Sequence, residues 1–190
     1  VTIEGERLAL SPPFMTLATQ NPIEMEGTYP LPEAQLDRFL LKIAIEYPEA
    51  TDEIAIVSQV CSDRIGDGLD VSTLTQVIDP AAAVLLQRKA AAVKIEERVV
   101  AYAVRIARAT RSHSGIAVGA GPRGAIALVR AGRAAALMDG RDFATPDDIK
   151  AMALPALRHR ILLSPTLEIE GLQGDDALAE ILATVEAPRS

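Results

Sequence analysis

Apolar and polar positions divide the chain into two kinds of segment. As far as about residue 47 they predict strands and turns: Val1–Glu4 and Arg7–Leu10 flank Gly5, and Phe14–Ala18 is a short apolar run ending in Thr19-Gln-Asn-Pro22. Phe14, Met15, Leu17 and Ala18 leave no polar face, the pattern of a strand buried on both sides in a parallel sheet between helices. The C-terminal ends of such strands face ligands, which places Asn21 at a ligand-facing tip. A Pro/Gly-rich loop over residues 22–32 leads to a short helix around Glu33–Arg38 and a second apolar strand, Phe39–Ile45, closed by Pro48.

From Glu49 onward the period changes to that of helices: Glu49–Val60, Pro80–Val93 behind an Asp79 cap, then Ile95 to about Thr110. In the last of these, Ile95, Val99, Tyr102 and Ile106 form one buried stripe, with Glu96, Arg98, Arg105 and Arg108 on the other face. Gly119-Ala-Gly-Pro-Arg-Gly124 starts another helix through Ile126, Val129, Leu137 and Met138, stopped by Gly140. Thr145-Pro-Asp-Asp148 reads as an N-cap, a proline at the first helical position and two first-turn carboxylates, opening a helix to about His159. A strand at Leu167–Ile169 and a final helix over Asp175–Val185 complete the reading. The boundary between the two parts falls near Pro48, giving an α/β part over residues 1–48 and a mainly helical part over 49–190.

Composition narrows the function classes. With 190 residues the chain is long enough for a sizeable core, and 19 basic against 26 acidic residues argue against a protein whose main work is gripping a nucleic-acid backbone. The apolar runs are interrupted by Arg88, Lys89, Arg130 and Arg133, so none reaches the roughly 20 residues of a membrane span. A single cysteine, Cys61, makes a reducing, cytoplasmic compartment the default. His113 and His159 lie far apart without a ligand-spaced partner, which argues against a zinc site and against general-base roles. The start at Val1, inside a strand-like alternation and without a signal-like segment, suggests a fragment of a longer protein.

The run Thr19-Gln-Asn-Pro-Ile-Glu-Met-Glu-Gly-Thr-Tyr-Pro-Leu-Pro-Glu-Ala-Gln-Leu-Asp-Arg-Phe39 resembles the second half of the ATPase module of MoxR-type AAA+ proteins. Ala109-Thr-Arg-Ser-His113, Gly121-Pro-Arg-Gly124, Gly140-Arg-Asp-Phe143, Thr145-Pro-Asp-Asp-Ile149 and Leu157-Arg-His-Arg160 resemble the same family's lid in order and spacing. The fold this implies is an α/β remnant of a P-loop AAA+ core followed by a mainly α-helical lid domain. The activity it implies is ATP hydrolysis, with ATP and Mg2+ as cofactors.

Three residues carry the chemistry. Asn21 is a neutral amide able to hydrogen-bond a phosphate oxygen or an attacking water, and the resemblance makes it the sensor 1 position; an isolated Asn-Pro would sooner cap a strand-to-loop turn. Arg38 matches the arginine finger given in trans to a neighbouring subunit's γ-phosphate; its alternative is an intrasubunit pair with Asp37 or Glu33. Arg123, in the first turn of a helix where backbone N–H groups already favour an anion, matches sensor 2, with Gly121 where the family commonly has serine. Arg158 and Arg160 are read as structural or interfacial, and Glu24, Glu26 and Glu33 as solvated carboxylates. The Val1–Leu10 hairpin resembles the insertion that in this clade precedes sensor 1 and contacts clients or partners.

No Gly-x-x-x-x-Gly-Lys-Ser/Thr loop occurs, and no apolar strand ends in Asp-Glu. In the family both lie upstream of the matching residues, so the isolated segment is expected to be inactive and the bulk of the ATP and Mg2+ contacts to come from elsewhere. The leading function is therefore part of a chaperone-like ATPase that remodels or activates partner complexes, working as a homo-oligomer, by resemblance a hexameric ring, often with von Willebrand factor A domain proteins. Two alternatives differ in class: a catalytically inactive helical interaction module derived from an AAA+ lid, and a DNA-associated motor, against which the acidic balance argues.

Overall fold

A computed structural model describes residues 1–20, 31–61, 71–72 and 74–188. Its packing forms two units, Val1–Lys42 with Pro80–Ser190, and Ile43–Asp79. The second holds one regular element among the described residues, helix α2 (Ala50–Val60), none of whose residues is buried.

The first unit opens with a hairpin, β1 (Thr2–Ile3) against β2 (Glu6–Arg7), antiparallel with Thr2 opposite Arg7. Gly5, with φ of +86°, supplies the left-handed turn conformation that other residues resist. Helix α1 (Glu33–Leu36) is a single turn. The helical part then follows in the order α3 (Pro80–Ala92), β3 (Lys94–Ile95), α4 (Glu97–Ser112), β4 (Ile116–Val118), α5 (Pro122–Met138), β5 (Phe143–Ala144), α6 (Pro146–Ala151), α7 (Ala153–Leu157), β6 (Leu162–Leu163), α8 (Pro165–Ile169) and α9 (Gly174–Thr184). Two small ladders tie it together: β3 pairs β5 in parallel, and β4 pairs β6 antiparallel.

The expected stripe on α4 is the centre of the core. Val99, Tyr102, Ala103 and Ile106 pack with Leu128 of α5, Ile149 of α6, Leu157 of α7 and Leu178 and Ile181 of α9. Each large side chain buried this way stabilises the fold by about 1.5–3 kcal/mol relative to exposure. Helix α5 comes close to α6 because it carries small residues on its inner face: a Cβ on Gly132 would sit 2.8 Å from Ile149 Cδ1. Thr145 caps α6 as expected. Its hydroxyl accepts the Asp148 N–H at 3.4 Å, and the Asp148 carboxylate takes the Thr145 N–H at 2.7 Å. Arg141 grips the same carboxylate with two donors, at 2.8 and 2.5 Å, and holds its pKa down at about 2.

Four local expectations differ from the structure. Phe14–Ala18 and Phe39–Ile45 are not strands: among the described residues neither has a ladder partner, and Phe14, Met15, Leu17, Ile43 and Ile45 are all exposed. Without a neighbour a strand leaves its backbone N–H and C=O groups without ladder partners, so apolar pattern alone does not make one. Leu167–Ile169 belongs to helix α8, started by Pro165 at its first position behind Ser164. The helix opened by Thr145 is interrupted at Met152, where α6 ends and α7 begins.

Candidate functional site

Two stretches carry the described candidate residues: the end of α1 with Asp37–Leu40, and the start of α5. The start of α5 is held from α4. Thr110, fully buried, donates its hydroxyl to the Ala107 carbonyl at 2.7 Å and accepts the Ala120 N–H at 2.8 Å. Arg111 Nε donates to the Ala120 carbonyl at 2.7 Å, so both backbone groups of Ala120 are bonded by consecutive residues of α4. Gly119 permits this approach, since a Cβ there would fall 2.6 Å from the Arg111 backbone nitrogen. The Ala109-Thr-Arg-Ser-His113 run is thereby explained: it anchors the turn that aims α5.

At that end of α5, Gly121 is the N-cap without a side-chain cap bond and Pro122 occupies the first turn. Arg123 follows, its side chain 56% exposed, with Nη1 donating to Asp37 Oδ2 at 3.3 Å. A helix N-terminus with an accessible arginine fits an anionic group such as a phosphate.

Asp37 is the junction between the two stretches. Its other oxygen, Oδ1, accepts Arg160 Nε at 3.1 Å. The Arg160 side chain is only 3% exposed and spends its remaining donors on backbone: Nη2 reaches the carbonyls of Asp37 at 3.1 Å and Phe39 at 2.5 Å, and Nη1 those of Leu40 at 3.2 Å and Ala156. Burial lowers the Arg160 pKa, and Asp37 counteracts that as its counter-charge. A nearly enclosed guanidinium that meets one carboxylate and four carbonyls fastens the Asp37–Leu40 turn to the end of α7.

Arg38 lies inside that fastened turn. It is exposed, and among the described residues its guanidinium has no ion-pair or hydrogen-bond partner. Neither Asp37 nor Glu33 pairs with it among the described residues, and Asp37 is shared by Arg123 and Arg160. Asn21 lies outside the described residues. Of the three predicted residues, then, Arg123 and Arg38 are brought to one region through Asp37.

The neighbouring histidine completes the junction. His159 Nε2 is 3.1 Å from the Phe39 carbonyl and 2.8 Å from Arg160 Nη1, while Nδ1 is buried without a partner among the described residues. Burial pushes its pKa down, and Arg160 and Lys42 push the same way against the Phe39 carbonyl and Asp37. Burial thereby favours the neutral ring. His113 accepts the Gly115 N–H on Nδ1 at 3.1 Å and directs Nε2 at Glu180, 3.2 Å away. Arg158 pairs with Asp175 through Nε at 3.1 Å and Nη2 at 2.7 Å. An open cleft of about 630 Å3 is lined by Arg105, Arg108 and Arg111 but by none of the predicted residues.

Asp37, Thr110 and Arg111 do not stand out in the sequence, where Arg160 reads only as structural or interfacial. The signal was present in the Leu36-Asp-Arg-Phe39 and Ala109-Thr-Arg-Ser-His113 runs, but the pairings join residues 86 and 123 positions apart, beyond any local period.

Comparison with known proteins gives a consistent picture. Residues 1–41 match the ATPase family associated with various cellular activities (AAA), and residues 108–181 match the AAA lid domain. The chain is 40% identical over 188 residues to the uncharacterized protein YeaC of Bacillus subtilis, covering 99% of this chain and 57% of that protein. It is 34% identical to the chaperone MoxR1 of Mycobacterium tuberculosis, covering 100% of this chain and 51% of that protein. The crystal structure of a candidate ATPase from Cytophaga hutchinsonii superposes with a TM-score of 0.86 at 33% identity, covering 100% of this chain and 58% of that one. The chain thus spans about half the length of the curated relatives it matches, from 50% to 57%.

Proposed function

The chain belongs to the MoxR-type AAA+ ATPases, and from that premise we propose that it is the sensor, arginine-finger and lid segment of a chaperone-like ATPase that works as a homo-oligomeric ring. The observation that carries this reading is the state of Arg38: a guanidinium exposed to solvent, on a turn fastened by a buried arginine, and without a partner of its own among the described residues. The adjacent carboxylate, Asp37, is occupied by Arg123 and Arg160. An arginine held in that way is suited to a negative charge on another subunit.

Bound ATP with Mg2+ would supply the phosphoanhydride bond and a metal charge on its oxygens. Arg123 would contact a phosphate oxygen from the first turn of α5, exchanging Asp37 for it. Arg38 would reach the γ-phosphate of a neighbouring subunit and offset the charge that develops as the bond breaks, while Asn21 would orient the attacking water. Among the described residues no group of three or more His, Cys, Asp or Glu side chains could hold a metal ion, and the Mg2+ ligands are assigned outside those residues. The same assignment covers the exposed apolar residues Phe14, Met15 and Leu17, which a completed α/β core would bury.

The proposed setting is cytoplasmic. No helix among the described residues is long and apolar enough to cross a membrane, and Cys61 is a free thiol. The expected clients are partner protein complexes, including von Willebrand factor A domain proteins, contacted in part by the β1–β2 hairpin. The isolated segment is expected to be inactive. Arg38→Ala in the full-length protein tests the reading: turnover should fall about a thousandfold or more with ATP affinity nearly unchanged. Unchanged turnover would leave Arg38 structural, and assembly independent of ATP would favour an inactive interaction module.

A further inference from the structure

We propose that Asp37 is a positioning residue that couples Arg123 to Arg38, acting as the counter-ion that Arg123 gives up when it takes a phosphate. The inference rests on the proposed roles of those two arginines and adds a device between them. Asp37 uses one carboxylate oxygen for each of two arginines that differ in almost every respect. Arg160, on Oδ1, is nearly enclosed and bonded to four carbonyls besides. Arg123, on Oδ2, is more than half exposed, and its contact is longer at 3.3 Å.

The asymmetry decides which bond yields. Breaking the Arg160 contact would strand a buried guanidinium, a loss of several-fold greater consequence than breaking an exposed pair. Arg123 is thus the partner that leaves, and a phosphate oxygen at the start of α5 is the anion able to draw it away. Asp37 then keeps Arg160 as its sole guanidinium partner, and the Asp37–Leu40 turn, with Arg38 in it, is held by Arg160 and not by the lid helix α5. Occupancy at Arg123 is in this way reported to the backbone that carries Arg38.

Two consequences have opposite signs, which separates this device from a merely structural role. In Asp37→Asn the amide oxygen still accepts from Arg160, but the charge competing with phosphate for Arg123 is gone. Nucleotide affinity of the full-length protein should then rise by about two- to fivefold, the range of an exposed ion pair. Turnover per bound ATP should fall at least tenfold, because the turn holding Arg38 loses its charge-assisted bond.

The deciding measurement is a double-mutant cycle on the Kd of a slowly hydrolysed ATP analogue, by fluorescence titration of full-length wild type, Asp37→Asn, Arg123→Ala and the double variant. Tightening by Asp37→Asn that disappears in the Arg123→Ala background supports the proposal. Equal effects in both backgrounds, no effect, or weaker binding by protein that is still folded would overturn it, and Asp37→Glu, which keeps the charge, should bind like wild type. If Arg38→Ala retains turnover, the finger assignment fails; if Arg38→Ala abolishes turnover while Asp37→Asn changes neither affinity nor rate, only the coupling fails.

Discussion

Thr110→Val isolates one hydroxyl at the root of the lid. Valine matches threonine in shape, so the core around Tyr102 and Ile106 keeps its packing while the donor and acceptor vanish. The Ala107 carbonyl lies within α4, where the amide four residues on can bond it. The Ala120 N–H, whose bond to Thr110 Oγ1 is 2.8 Å, is left with nothing, and Ala120 is 0% exposed. Gly119 lies against the α4 backbone so closely that little room remains for a water to replace the hydroxyl. A buried amide stranded in this way costs about 1–3 kcal/mol. Amide hydrogen exchange over Ala120 and the first turn of α5 in the full-length protein should therefore accelerate by about 5- to 150-fold, with ATP affinity weakened because Arg123 stands on that turn. Thr110→Ser, which keeps the hydroxyl, should exchange much closer to wild type. Exchange within about twofold of wild type in Thr110→Val would refute the claim that this hydroxyl anchors the start of α5.

The remaining predictions concern stability. His159 has a folded pKa below its ordinary value near 6.5, so the neutral ring is the stable form. Its contribution is complete above that value and is lost as pH falls below it; the thermal midpoint should drop as pH is lowered past about 6.5, with a shallower slope in His159→Gln. Thr145→Ala removes the hydroxyl that caps α6 and should lower stability by about 0.5–2 kcal/mol in denaturant titration, whereas Thr145→Ser should not. Gly132→Ala drives a methyl to within 2.8 Å of Ile149 Cδ1, and should lower the midpoint despite alanine's higher helix propensity.

Much of the helical part was legible in the sequence because its signals are local. The α4 stripe recurs at helical spacing, Thr145-Pro-Asp-Asp148 carries its own cap, and Gly140 takes the positive φ of 75° expected just beyond a helix. The short ladders were less visible: β4 and β6 together span only five residues, too few for an alternation to declare itself. Phe14–Ala18 and Phe39–Ile45 look like buried strands because their apolar residues suit a sheet, yet a strand is a property of its neighbours. Leu167–Ile169 reads as a strand by its apolar ends, whereas Ser164-Pro165 settles it as a helix.

At the candidate site the residue types were legible and their partnerships were not. Arg123 could be assigned to a helix N-terminus from Gly121 and Pro122 alone. That its carboxylate partner is Asp37, and that Arg160 holds the other oxygen of the same side chain, depends on packing across long stretches of chain. That Arg38 has no partner among the described residues follows only once those pairings are known.

The central claim is that Arg38 acts on a neighbour's nucleotide, and a mixing measurement tests it most directly. Full-length Asn21→Ala and Arg38→Ala subunits, each inactive alone, are co-expressed with different tags, and ATP turnover is measured on assemblies containing both. In a random equal mixture, head-to-tail interfaces pair an intact sensor with an intact finger about one time in four, so turnover should recover to about a quarter of wild type. Mixed assemblies that remain as inactive as either variant alone would contradict the account and place Arg38 and Asn21 in the service of the same subunit.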